Sequence, residues 1–343
     1  MKKISANLFL SVISTITTAV FGQSNLEFTS CRPQTNREVS LQFSALTGQV
    51  CRLEVSTNLA TWQRAVTWLP TRAVVDYTDP VAPFCGQRFY RLLSLPETNV
   101  PLGDHFLTAE GEVVVRQLSL ATLLLAWEGK YIYVDICQDN LGIAPLSNFA
   151  GLPKADLVLI THDHPDHLEQ YSAPVLRRLL TTNSVIICSL GAFNAFYSTQ
   201  DPQYPKTNIL KGLNGVTVLT NGATTQVMGI GIQAIPSYNV SSLYHPRAAH
   251  YSGYLVTLGG RRLYFSGDTD AIPEMLALRD IDIAFIPIIG SPATMDPSQA
   301  VAAVRQFRPK VVYPYHRSPG AETTFKRLLG TGEGIEVRVS SWW

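Results

Sequence analysis

Apolar positions follow two different patterns along the 343 residues of this chain. Between residues 24 and 97 they alternate with polar ones in short runs: VSLQFSA, QVCRLEVST, AVVDYTD and QRFYRLLSL. Gly, Pro, Asn and Asp fill the gaps. A period of two puts one face of a strand in a core and the other in water, so this region reads as a small all-β sandwich. The Pro-bearing stretch SLPETNVPLGD ends the pattern. The expected division is a β-module at 24–97, a linker at 98–104 and a second domain at 105–343.

In the second domain strand signals alternate with helix signals. EVVVRQLSLATLLLAWEGKYIYVDI holds several strands, with a turn at Glu128-Gly129. ADLVLIT is continuously apolar at its centre, the mark of a strand buried on both faces. APVLRRLLTT reads as a helix and SVIICS as a strand. YSGYLVTLGGRRLYFSGDT is a hairpin around Gly259-Gly260. DPSQAVAAVRQF is a helix with Asp296 as N-cap, Pro297 in the first turn and Gln299 closing a capping box. KVVYPYH is the next strand. Such alternation predicts a layered α/β domain.

Composition narrows the picture. A 46% hydrophobic, 15% charged chain can fill a sizeable core. A net charge of +1 without a Lys/Arg run leaves no electrostatic footprint for nucleic acid. Lys2 and Lys3 precede ANLFLSVISTITTAVFG, which reads as a signal peptide over 1–22, with Val20 and Gly22 at the cleavage site and Gln23 as the mature start. The competing reading, a retained anchor, is weakened by the Ser and Thr in that stretch. Export to the periplasm or exterior leaves no other segment able to span a membrane. It also permits disulfides, and of Cys31, Cys51, Cys85, Cys137 and Cys188 the simplest pair is Cys51–Cys85. No CxxC occurs, which excludes zinc ribbons and thioredoxin chemistry.

The chemistry concentrates in THDHPDH, residues 161–167, which holds three of the chain's seven histidines. It follows the apolar run Leu157 to Ile160, so the cluster is thrown out at a strand's C-terminal tip, where ligand sites of layered α/β folds lie. His162 and His164 can face one point. Asp166 and His167 can face a second. Imidazole and carboxylate donors at two neighbouring points suit two zinc-type ions, with manganese, iron or nickel as other occupants.

HDHPDH, YFSGDTD and VVYPYH occur in the order found in the metallo-β-lactamase fold superfamily, which residues 105–340 resemble. AIPSYN, YHP and DIDIAFIPIIG resemble one branch, metal-dependent hydrolases related to ascorbate-6-phosphate lactonase and the N-acyl-phosphatidylethanolamine phospholipase D group. The resemblance implies a four-layer αββα fold. It implies His162 and His164 on a first metal, Asp166, His167 and His316 on a second, and Asp268 as a bridge. Asn239 stands where most of the superfamily has a histidine. His245, six residues on, is either the missing ligand or a substrate-pocket residue. The phrase CRLEVSTNLATWQRAV with FCGQRFYRLLS resembles an accessory module of secreted bacterial proteins, which implies a fibronectin- or immunoglobulin-like sandwich.

The expected activity is hydrolysis of a small ester, lactone, amide or phosphodiester by a metal-bound hydroxide, with Asp166 and His167 as the catalytic pair. Asp135 is read as orienting a metal-binding histidine or as a turn residue. Asp270 is read as a structural acceptor and His250 as a loop histidine, and His105 carries no assigned role. SLGAFNAFYSTQDPQYP, 189–205, reads as packing or as part of a lid. A di-iron redox enzyme is disfavoured because position 164 is histidine and no flavin-type Gly-rich loop occurs. A binding protein, inactive as an enzyme and touching a wall, polysaccharide or protein through its β-module, is the alternative.

Overall fold

The computed structural model describes residues 9–11, 17–21, 26–96, 100–137, 149, 151–168, 174–197 and 215–339. The chain divides into two compact units, Met1–Leu107 and Thr108–Trp343.

The described part of the first unit is β-structure with one 3-10 turn, Ala82–Phe84. Phe28–Pro33, Val39–Ser44 and Val74–Asp79 form one antiparallel sheet. In the other, Cys51–Ser56 pairs with Gln63–Trp68 and Phe89–Ser94. Gly103–Leu107 joins it by pairing with Gln63–Trp68, so the strand begins inside the stretch read as a linker. Phe9–Ser11 and Thr17–Phe21 are short strands, and the rest of the expected signal peptide lies outside the described residues. Trp68 of one sheet packs on Phe43 and Tyr77 of the other, with ring centroids 5.5 and 5.4 Å apart. Asp79 is fully buried, and Arg88 Nε (2.6 Å) and Tyr90 Oη (2.9 Å) both donate to it, which offsets the cost of taking its polar atoms out of water.

The expected Cys51–Cys85 disulfide is not formed. Cys51 is a free thiol buried in its strand opposite Trp68 and Ser94, and burial pushes its pKa up to about 12. Cys85 lies elsewhere, 3.9 Å from Arg88 beside the Asp79 pair. His105 is buried and bonded to Thr67 Oγ1 at 2.8 Å, a satisfied structural histidine.

The second unit has two mixed sheets. The first is ordered Glu112–Gln117, Leu123–Trp127, Lys130–Val134, Leu157–Ile160, Val185–Cys188 and Val216–Val218. Its last three pairings are parallel, and Leu157–Ile160 at their centre is buried throughout. The second has seven strands, in chain order from Thr224–Val227 to Glu336–Val337. The expected elements occur, including the Ser252–Leu258/Arg261–Phe265 hairpin and the Asp296 capping box on helix Pro297–Phe307. Helices Pro273–Leu276, Pro297–Phe307 and Ala321–Leu329 share one core with the second sheet, through Met275, Phe307, Phe325, Tyr264 and Ile286. Helices Pro174–Leu179 and Leu190–Tyr197 share another with the first sheet, through Leu176, Ala192, Val158 and Ile186. Residues 198–205 of the lid reading lie outside the described residues. Among those described, no helix is long and apolar enough to cross a membrane.

Phe285 anchors the second sheet. It is fully buried and stacks on Phe265 (4.7 Å) and Tyr313 (4.9 Å). Phe285→Ala should lower the unfolding free energy of the second unit by about 3–5 kcal/mol. Urea unfolding in a chelator, which removes any stabilisation by bound metal, measures that loss.

Candidate metal centre

Strand tips of the second unit deliver the polar side chains. Leu157–Ile160 ends at Thr161, so the chain leaves the sheet at His162. Arg261–Phe265 is followed by Gly267, with φ 62, where a Cβ would meet Thr161 Cβ at 3.1 Å. Glycine makes that turn without strain and so lets Asp268 enter the site. Asp135, just after Lys130–Val134, has φ 51, and His316, near the end of Val311–Arg317, has φ 42. Left-handed backbone at non-glycine residues costs about 1 kcal/mol or more and is kept where a side chain must be aimed.

Asp135 governs the tautomers. Its buried carboxylate accepts from Thr161 N (2.8 Å), Thr161 Oγ1 (2.7 Å) and His167 Nδ1 (2.8 Å). With Nδ1 committed to Asp135, Nε2 is the nitrogen of His167 that faces the site, 3.3 Å from Asp268 and 3.4 Å from His316 Nδ1, and loss of its proton would free the lone pair there. The Thr161 hydroxyl proton goes to Asp135, so the 2.9 Å contact with His162 Nδ1 is donated by the ring. That leaves His162 Nε2 a lone pair. It is buried and has no hydrogen-bond partner. A buried acceptor left unfilled costs about 1–3 kcal/mol, so this atom fits a metal ion.

His245 is aimed in the same way. Its Nδ1 lies 2.9 Å from both Asn239 Oδ1 and the Ala293 carbonyl, which only accept. The proton therefore sits on Nδ1, and Nε2 faces His164 Nδ1 at 3.0 Å. Asn239 has no capacity left: Oδ1 also accepts from His245 N, while Nδ2 donates to Asp270 and Ala293. The geometry thus puts His245, not Asn239, beside His162 and His164.

Among the described residues three donor groups result: His162, His164 and His245; His162, His167 and Asp268; Asp166, His167 and His316. Within each, the ligand atoms lie within 4.8 Å of one another. Asp268 reaches both sides, 3.6 Å from His245 Nε2 and 2.5 Å from His316 Nδ1. All seven residues singled out as metal-binding therefore meet at one place. Imidazole and carboxylate donors in this arrangement could hold two ions of the zinc type.

Of the other residues singled out, Asp270 holds the backbone N of Val240 (2.7 Å) as well as Asn239. His250 is an exposed loop residue with φ 55. Sequence reasoning missed Tyr251, whose ring lies 5.2 Å from His162 and whose hydroxyl bonds to Asp163. It also missed Thr161 as the relay between Asp135 and His162. A lone tyrosine and a strand-end threonine carry no spacing signal.

Charge differs between the two sides. Burial lowers the pKa of His162 and His164, and takes that of His245 to about 4. Burial also opposes charge on His167 and His316, but carboxylates outweigh it. Asp268 and Asp135 hold His167 well above the ordinary histidine value, and Asp268 and Asp166 raise His316 to about 9. At pH 7 the His162 side is neutral and ready to coordinate, whereas the His316 side carries protons that an ion must displace.

Two outcomes follow from this geometry. Metal uptake at pH 7 should release protons, and the affinity of the His316 side should climb as pH rises to about 9. Titration calorimetry in buffers of different ionisation enthalpy reads the release, and equal heats in every buffer would contradict it. Asp135→Ala, which frees the His167 ring, should weaken metal binding by about 10–100-fold, measured by chelator competition.

Residues 115–316 match the family described as the beta-lactamase superfamily domain. A UPF0173 metal-dependent hydrolase from Thermococcus onnurineus is 30% identical over 188 residues, covering 52% of this chain and 75% of that protein. A second from Cupriavidus necator is 32% identical over 241 residues, covering 64% and 80%. A solved structure from Parabacteroides distasonis, assigned as a metal-dependent hydrolase, is 34% identical, with TM-score 0.57 over 70% of this chain and 99% of that one. The di-iron β-hydroxylase CmlA of Streptomyces venezuelae shares the fold alone, at 17% identity and TM-score 0.50, over 73% of this chain and 54% of that one. With the motif-bearing strands inside the matched region, the chain belongs to the metallo-β-lactamase superfamily and is one of its metal-dependent hydrolases.

Proposed function

We propose that this metallo-hydrolase is an exported, dinuclear enzyme that cleaves a small ester, lactone, amide or phosphodiester. One observation carries the reading: seven side chains from distant parts of the second unit present their ligand atoms in three groups linked through His162 and His167, and the buried lone pair of His162 there has no partner. His162, His164 and His245 would hold one ion and Asp166, His167 and His316 the other, with Asp268 between them. Zinc suits these donors best, and manganese, iron and nickel also fit them. The separate helix-bearing cores of the two sheets support a four-layer αββα arrangement. Lys2, Lys3 and the apolar stretch after them support export.

Bound ions would lower the pKa of water towards neutrality and polarise a carbonyl or phosphoryl oxygen. The chain's own groups do the rest. Asp166 is the most exposed of the donors' carboxylates, with 27% of its side chain open, against 2% for Asp268. Burial works against its charge, but His316 and His167 bring its pKa to about 2, so it stays ionised and can accept a proton from the attacking water and pass it to the leaving group. His316 Nε2, 3.1 Å away, holds it in place. Asp268 is kept anionic by His316 and His167 despite full burial. His167, fixed by Asp135, keeps its Nε2 directed at the reacting side.

Metal content of protein purified without added metal tests the reading. Wild type should carry ~2 equivalents and His245→Ala ~1, with loss of ester or phosphodiester hydrolysis in the variant. Failure of either protein to take up metal on titration would sink the hydrolase mechanism.

A further inference from the structure

Between Asn239 and His245 the chain makes a five-residue excursion, Val240-Ser241-Ser242-Leu243-Tyr244. Both ends are pinned inside the site. Asn239 N donates to the His245 carbonyl at 2.8 Å and His245 N donates to Asn239 Oδ1 at 3.0 Å, which closes the base of the loop. Asp270 holds Val240 N, and Ser242 Oγ accepts from Tyr244 N at 3.1 Å. Downstream, Arg247 is clamped by Glu274 at 3.2 Å and lies over the Tyr238 ring at 4.9 Å. The loop is therefore built as a fixed feature.

Its outward side chains are the wrong kind for water. Leu243 is 90% exposed, Val240 68% and Tyr244 56%, the three most exposed large hydrophobic residues among those described. Scattered apolar exposure is ordinary, but three such residues within five positions of one short loop concentrate it there. Tyr244 ties that patch to the metal centre, its ring 5.9 Å from His164 and 5.8 Å from His245. We infer that Val240, Leu243 and Tyr244 form the substrate-selecting wall of the hydrolase site and receive an unbranched acyl or alkyl chain whose reacting carbonyl or phosphoryl group rests at the metals.

Position and size select this occupant. The loop begins and ends on residues of the site, so a group lying on Tyr244 is already within one chain's length of the donors. The patch is three side chains, far short of the roughly 20–30 residues a side of a stable dimer interface, yet enough to cover part of one hydrocarbon chain. The assignment rests on the metallo-hydrolase reading, since it places the polar end of the ligand at the donor cluster.

Straight-chain hydroxamates test it without turnover, because the hydroxamate chelates the metal and the chain is free to vary. Binding to metal-loaded protein is measured by calorimetry from acetohydroxamate to octanohydroxamate. In wild type each methylene should tighten binding about twofold, reaching several tens of fold at eight carbons. Val240→Ser/Leu243→Ser should keep wild-type metal content and acetohydroxamate affinity but lose at least tenfold of the gain for octanohydroxamate. A flat series in wild type, or an equal slope in the double variant, overturns the assignment while leaving the metal centre intact. Failure to take up metal or to bind acetohydroxamate overturns the hydrolase reading, and the loop assignment falls with it. Wild type that sediments with phosphatidylcholine vesicles or dimerises, where the double variant does neither, would give the patch to a lipid surface or a second copy instead.

Discussion

The carboxylate of Asp135 is the constraint on which the rest of the site depends. It is buried from water, held on left-handed backbone, and accepts from Thr161 twice and from His167 once. Three donors converging on one carboxylate fix where the neighbouring protons sit. Through His167 directly and through the Thr161 hydroxyl indirectly, it turns Nε2 of His167 and of His162 towards the site, the second with its lone pair already bare. One side chain thus prepares a donor on each side of the centre. Asn239 does the equivalent for His245 with a neutral amide. The rings of His162, His167 and His245 are aimed before any ion arrives because their other nitrogens are already committed, while His167 and His316 still have protons to give up.

Much of this was legible in the sequence, for reasons that differ from residue to residue. His162, His164, Asp166 and His167 lie within six positions after a continuous apolar strand, so local spacing reveals them. Asp268 and His316 are remote from that cluster, and only their strand-end phrases, read through family resemblance, connect them to it. The choice between Asn239 and His245 was not legible. It depends on which amide and carbonyl oxygens face the ring, and the Ala293 carbonyl comes from 48 residues away. Thr161 and Tyr251 escaped for the same reason, since their partners are set by tertiary contact.

The first unit was read well as alternating strands and badly as a covalent scaffold. Counting cysteines suggested a staple, whereas the interior is held by aromatic contacts around Trp68 and by the Asp79–Arg88–Tyr90 cluster. Cys51 fills space as a small apolar residue, which is how an isolated buried thiol behaves.

The closed base of the 239–245 loop has a bearing on how this enzyme can diversify. A ligand-type histidine and the apolar tip are parts of one short excursion, joined by a 2.8 Å backbone hydrogen bond across its neck. Insertions or deletions between positions 240 and 244 would strain that neck and drag His245 away from His162 and His164. Point substitutions at 240, 243 and 244 leave the neck intact. New preferences are therefore more accessible to this lineage by exchanging side chains on a loop of fixed length than by the remodelling of loop length through which many hydrolase folds acquire them.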